Sequence, residues 1–152
     1  MSDTWVVNSD GGARGNPGPG GAGIVVRSPD GQIACSGGAY LGVVTNNVAE
    51  YLALIWGMRA ARALGARTLE VRADSELVVK QLRGEYRVKN EGLKPLFIEA
   101  QAAQRALGSV TFVHVPRAAN AAADALANEA MDRTVTVGDA PEPPCGAPTT
   151  LF

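Results

Sequence analysis

The sequence holds one histidine, two cysteines and few aromatic residues, 5% of the chain, and each shortage removes a class of function. With His114 alone, a histidine-built metal centre or a histidine-activated nucleophile has a single candidate. Cys35 and Cys145 form no C-x-x-C pair and are too few for a disulfide scaffold, which excludes structural zinc through cysteine. One bridge tying the C-terminal tail to the body remains compatible with them. No stretch approaches the roughly 18 uninterrupted apolar residues of a membrane span, and the N-terminus lacks a basic segment followed by an apolar run. These absences point to a soluble, cytoplasmic protein. An excess of charge is also missing: 14 Lys plus Arg against 15 Asp plus Glu leave a formal net charge of −1. Nucleic-acid binding would therefore need a local basic patch.

What is present suits one globular domain: 152 residues, 46% hydrophobic and 19% charged. Trp5 to Ser9 and Ala22 to Arg27 read as strands, the second ending in the turn residues Ser28, Pro29, Asp30 and Gly31. Gln32 to Leu41 completes an antiparallel meander. From Asn47 to Leu64 the apolar residues Tyr51, Leu52, Leu54, Ile55, Met58 and Ala61 recur at helical spacing, with Gly65 as the stop. Thr68 to Ala73 predicts a strand and Ser75 to Leu82 a helix carrying Leu77, Val78 and Leu82 on one face, a succession that implies a parallel crossover. A helix opening at Pro95 shows an apolar face through Leu96, Ile98, Ala102 and Leu107. Val110 to Val115 predicts a fifth strand, and Ala121 to Met131 a last helix capped by Asn120. The order is β-β-β-α-β-α-α-β-α, an α/β class with a five-stranded mixed sheet. Residues 134–152 hold four of the nine prolines and little periodicity, and predict a tail behind a domain spanning 1–133.

Four acidic residues stand at special points of this plan. Asp10 ends the first strand, Asp74 ends the fourth, and Glu50 and Asp124 each lie one turn into a helix. If the first and fourth strands are neighbours, Asp10 and Asp74 project from one edge, and the adjoining helix starts can bring Glu50 and Asp124 beside them. Like charges a few Å apart raise each other's pKa, so such a group stays ionised only with cations between its members. Mg²⁺ and Mn²⁺ are the hard ions that prefer carboxylate oxygens, and two of them about 4 Å apart can serve both oxygens of an in-line phosphoryl displacement. Taken singly, each acid reads equally as a turn former, a cap or a helix-dipole partner.

The segments Asn8-Ser-Asp-Gly-Gly-Ala-Arg-Gly-Asn-Pro-Gly-Pro-Gly-Gly-Ala-Gly, Thr45-Asn-Asn-Val-Ala-Glu-Tyr, Ala73-Asp-Ser-Glu-Leu-Val and His114-Val-Pro-Arg-Ala-Ala-Asn-Ala-Ala-Ala-Asp-Ala-Leu-Ala together resemble type 1 ribonuclease H. The resemblance covers roughly residues 4–132. It implies a ribonuclease H-like fold and an endonuclease that cuts the RNA strand of RNA/DNA hybrids with two divalent metal ions, leaving 5′-phosphate and 3′-hydroxyl ends. Asp10, Glu50, Asp74 and Asp124 match the family's metal-binding carboxylates. A non-catalytic hybrid-binding module, or the nuclease domain of a larger fused polypeptide, are the competing readings; a monomer is expected.

The glycine-rich run from Gly11 to Gly23 lacks the G-x-x-x-x-G-K-[ST] of a nucleotide cradle, and a strand rather than a helix follows it. Close approach of backbone to a sugar-phosphate strand accounts for the glycines, with Gly11 at the substrate and the Asn16 amide in the minor groove. The resemblance directs Thr45 to a DNA phosphate and Asn46 to bases and sugars, while helix capping is open to both. Five basic residues between Lys80 and Lys94 against two acidic ones make the best phosphate patch. The additional helix and basic protrusion of some type 1 enzymes look absent here, which leaves Lys89 and Asn90 as contacts. The loop after the last strand has no histidine. Arg117 is its only charged side chain and is expected to act on the scissile phosphate, whereas His114, Trp5 and Trp56 are expected to pack.

Overall fold

Three antiparallel strands open the chain, β1 (Thr4–Ala13), β2 (Gly18–Arg27) and β3 (Ile33–Val44), in a computed structural model that describes residues 3–144. Helix α1 (Asn46–Ala63) follows, then β4 (Thr68–Ala73), α2 (Glu76–Leu82), α3 (Lys94–Ala106) and β5 (Ser109–His114). A 3-10 turn at Arg117–Asn120 leads into α4 (Ala121–Arg133), and a two-residue strand, β6 (Val137–Gly138), comes last. The sheet order is β5-β4-β1-β2-β3-β6. β4 runs parallel to both β1 and β5, and the remaining pairs are antiparallel. This is the expected mixed sheet with one added strand.

Alternation along β1 and β2 divides the helices between the two faces. Val7 and Ile24 point to α1, where Gly57 admits them; a Cβ on Gly57 would stand 2.5 Å from Val7 Cγ1. The opposite face is paved with glycine under α4. A Cβ on Gly23 would lie 1.9 Å from the Ala123 carbonyl oxygen, and one on Gly38 2.2 Å from that of Leu126. The helix backbone therefore rests directly on the sheet, which fixes where Asp124 stands. Part of the glycine run thus serves helix packing, whereas the sequence suggested approach to nucleic acid.

Helix α1 is buried nearly all round, because the sheet lies on one side and α3 on the other. Thr45 Oγ1 caps it by accepting from Val48 N at 3.2 Å. The face of α3 differs from the sequence reading: Ala100 and Ala103 are its buried residues, with Leu96 and Phe97 packed beside them, while Ile98 is 62% exposed. Small side chains let α3 approach α1, and that selects a seam about one residue out of phase with the bulkiest apolar positions. In α2, Val78 and Val79 turn inward and Leu77 is exposed, since the helix packs against β5, α1 and α3.

Residues after α4 bind to the sheet edge. Asp139 N and Ala140 N donate to Ser36 O, Ser36 N donates to Asp139 Oδ1, and Trp56 Nε1 donates to Pro141 O at 2.9 Å. Trp56 is among the largest fully buried side chains, and Trp5 packs against the same core, as expected. Cys35 is buried; Cys145, and with it the suggested disulfide, lies outside the described residues. No helix among the described residues is long and apolar enough to cross a membrane.

Candidate active site

The parallel pairing of β1 with β4 ends at Ser9 and Ala73, so Asp10 and Asp74 emerge side by side where the two strands part. Asp10 does not end β1, as the sequence suggested, because β1 stays paired with β2 as far as Ala13. β1 is the strand at which pairing changes from parallel to antiparallel, the place where open α/β sheets collect their ligands. Gly11 lies against the start of α1 without a side chain to hold it off; a Cβ there would stand 2.2 Å from Ala49 O. That closeness lets Gly11 N donate to Glu50 Oε1 at 2.7 Å. Carboxylate oxygens of Asp10, Glu50 and Asp74 all lie within 4.8 Å of one another. Asp124 approaches the group from α4 and acts on the Asp10 carboxyl. All four line a groove of about 590 Å³.

Folding this cluster without cations is electrostatically unfavourable. Asp10 is only 8% exposed. Burial pushes its pKa up to about 9, aided by the hydrogen bond with Asp124 and by the charges of Glu50, Asp74 and Asp124. Burial also raises Glu50 to about 8; the Gly11 N–H opposes that rise, and Asp74 adds to it. Within the groove, Arg117 is the compensating cation at the cluster, with Nη2 3.7 Å from Asp124 Oδ1.

The placement of Asp124 depends on two amides. Asn120 is fully buried, and its Nδ2 donates to Ser9 O at 2.7 Å while its Oδ1 accepts from Asn8 Nδ2 at 3.1 Å. Asn8 Oδ1 in turn accepts from Arg27 Nη1 at 3.4 Å. The side chain of Asn120 therefore does not cap α4, as its position suggested, because β1 offers it partners that leave no buried amide group idle. Asn8, buried beside it, was missed by sequence reasoning. Its only sequence signal was a polar residue in an apolar strand, two places before Asp10.

Residues 8–130 match the family described as reverse transcriptase-like. The chain is 46% identical over 123 residues to ribonuclease HI of Halobacterium salinarum, covering 81% of this chain and 62% of that protein. It is 45% identical over 128 residues to a bifunctional protein of Mycobacterium tuberculosis, covering 84% of this chain and 35% of that one. Among solved structures it is similar to LC11-RNase H1 in complex with an RNA/DNA hybrid, with a TM-score of 0.81 and 42% identity over 86% of this chain and 98% of that chain. The chain belongs to the type 1 ribonuclease H family. It spans about a third of the length of the first curated relatives it matches.

The other residues that the ribonuclease H resemblance singled out divide into two groups. Asn46 lines the groove, and Gly11 does too. Asn46 Oδ1 accepts from Ala13 N at 2.9 Å, while Asn46 N donates to Asn16 Oδ1 at 3.0 Å. These bonds bind the glycine turn to the start of α1, and Thr45 stands beside them as the cap. Lys89 and Asn90 are exposed on the connection from α2 to α3 and do not line the groove; the Asn90 side chain accepts from Gly92 N at 2.8 Å. No helix stands between Leu82 and Lys94, consistent with the form of ribonuclease H that lacks the basic protrusion. In the basic run, Lys80, Arg83 and Lys94 are paired with Glu76, Glu85 and Glu91. His114 corrects the expectation of a packing role: it is exposed at the end of β5, pairs in register with Ala73, and lines the groove. β5 is the edge strand and buries only Phe112, so its last side chain meets the open cleft and not a packed neighbour.

Proposed function

We propose that this domain is an endoribonuclease that hydrolyses the RNA strand of RNA/DNA hybrids with two divalent cations, Mg²⁺ or Mn²⁺, leaving 5′-phosphate and 3′-hydroxyl ends. One observation carries the proposal: three carboxylates distant along the chain put oxygens within 4.8 Å of one another, and a fourth lines the same groove. A donor set of oxygen alone, anionic and partly buried, suits hard divalent ions better than softer metals. The relative named ribonuclease HI, and the RNase H1 structure holding an RNA/DNA hybrid, support the substrate class.

In this reading Asp10, Glu50 and Asp74 would hold the ions, with Asp124 completing the set from α4. Bound ions supply Lewis-acid stabilisation of the attacking and leaving oxygens. The Gly11 N–H fixes one Glu50 oxygen and leaves the other free for a cation. Asn120 sets the approach of Asp124. Arg117, largely exposed and next to Asp124, stabilises charge on the scissile phosphate. Gly11, Asn16, Thr45 and Asn46 form a wall of backbone and short polar groups suited to telling 2′-hydroxyls from deoxyribose, and Lys89 and Asn90 meet the duplex further out. One chain supplies the whole carboxylate set, and a monomer acting in the cytoplasm is part of the proposal.

A labelled hybrid, the matching DNA duplex and single-stranded RNA, each incubated with Mg²⁺ or Mn²⁺, test it directly. Cleavage confined to the RNA of the hybrid, and dependent on the metal, is expected. Binding of the hybrid without cleavage under every metal condition would overturn the enzyme in favour of a binding module.

A further inference from the structure

The groove presents four carboxylates to a polyanionic substrate, and its lining includes two arginines, Arg117 and Arg14. Arg117 stands over the cluster. Arg14 stands at the other end of the groove, on the turn between β1 and β2, and nothing in the proposed function so far uses it. Its backbone is fixed: Arg14 N donates to Pro19 O at 2.8 Å, and Gly18 lies so close that a Cβ there would stand 2.1 Å from Arg14 O.

Its side chain is held loosely, by contrast. Arg14 Nη1 pairs with Asp132 Oδ1 at 2.7 Å, while Nη2 donates to Asn128 Oδ1 at 3.2 Å and to Asn128 O at 3.4 Å. The two charged side chains are 47% and 64% exposed, and such a pair contributes at most about 1 kcal/mol. Asp124, Asn128 and Asp132 follow one another at four-residue spacing on one face of α4. The arginine fork therefore rests about 6–12 Å along the helix from the carboxylate cluster, within a few nucleotides of a phosphate bound there. Asp132 takes only Nη1 and Asn128 takes Nη2, whereas the two anionic oxygens of a backbone phosphodiester can accept both arms of the planar fork at once.

Resting on the hybrid-cleaving reading above, we propose that Arg14 is a substrate-binding residue, whose guanidinium exchanges Asp132 for a backbone phosphate of the hybrid next to the glycine turn. Asp132 is then a resting partner that competes with the substrate. The device adds a phosphate contact at the carboxylate groove itself, in a chain without the basic protrusion.

Two measurements on wild type, Arg14→Ala, Arg14→Lys, Asp132→Ala and the Arg14→Ala/Asp132→Ala double variant decide this. The first is hybrid binding by fluorescence anisotropy in EDTA, where no cleavage occurs; the second is KM and kcat with metal at several salt concentrations. Arg14→Ala is expected to weaken binding and raise KM three- to tenfold with kcat within twofold. It should also flatten the dependence of log affinity on log salt by about one. Arg14→Lys recovers part of the affinity, because a phosphate also takes a point charge. Asp132→Ala tightens binding in the wild-type background and does nothing once Arg14 is absent. Unchanged affinity and salt dependence in Arg14→Ala, or equal weakening by Asp132→Ala, would overturn the proposal and make the pair a structural brace. If wild type fails to cut any hybrid, the enzyme reading falls, while the EDTA binding data still decide the role of Arg14.

Discussion

A carboxyl group that folding buries among three others opposes the metal-free fold. Asp10 pairs in register with Gly23 and lies beside the last β1–β4 pair, so it cannot turn away from Glu50, Asp74 and Asp124. Replacing it with asparagine keeps the shape and removes a titrating charge. Asp10→Asn should abolish turnover, yet raise the stability of the EDTA-treated protein by about 1 kcal/mol or more at pH 8, read from urea unfolding; an equal or lower stability would contradict the burial argument. Asn120 makes the opposite case. Asn120→Ala strips partners from Asn8 Nδ2 and Ser9 O inside the fold, at a cost of about 1–3 kcal/mol. It also frees the start of α4, so Mn²⁺ affinity measured by calorimetry should fall along with stability. Loss of stability with intact Mn²⁺ binding would show that Asn120 supports the fold but not Asp124.

Helix α4 and the last strand show how whole elements depend on contacts far along the chain. Gly23→Ala should lift α4 off the sheet, because the new methyl would fall 1.9 Å from Ala123 O, a backbone atom with no rotamer to yield. The expected loss is about 1–3 kcal/mol in unfolding, together with weaker metal binding through displaced Asp124. Ending the chain at Thr134 removes β6 and the Pro141 carbonyl that accepts from Trp56. Tryptophan emission should then shift to longer wavelength and Tm should fall, by roughly 2–4 °C for each kcal/mol lost. An unchanged spectrum would mean that this segment leaves Trp56 covered when it goes.

For the molecule as a whole, the raised carboxyls tie stability to pH and to metal. Asp10 and Glu50 have ordinary values of 3.8 and 4.5 and folded values of about 9 and 8. The folded state therefore binds more protons than the unfolded chain between those limits. The associated stability is present in full below pH 4 and is lost as pH rises through 8 and 9. Without metal, Tm is expected to fall between pH 6 and pH 9. Divalent ions bind the ionised groups and release their protons, so the rise in Tm on adding Mn²⁺ should grow over the same interval. Differential scanning with EDTA and with Mn²⁺ checks both trends, and a metal effect independent of pH would contradict them.

Local chemistry made much of this protein legible. Strand alternation, the Thr45 cap and the Gly65 stop depend on near neighbours along the chain, so the order of elements could be read without coordinates, and the four acids that line the groove could be singled out by their places in that order. Contacts between distant residues decided the rest. The amide pair of Asn8 with Asn120 joins residues 112 apart, and the bond from Ser36 to Asp139 spans 103. The seating of α4 on glycine, the strand within the proline-rich segment, the exposure of His114 and the position of Arg14 arise the same way. Each depends on which surface arrives opposite, a fact that exists only once the chain has closed on itself.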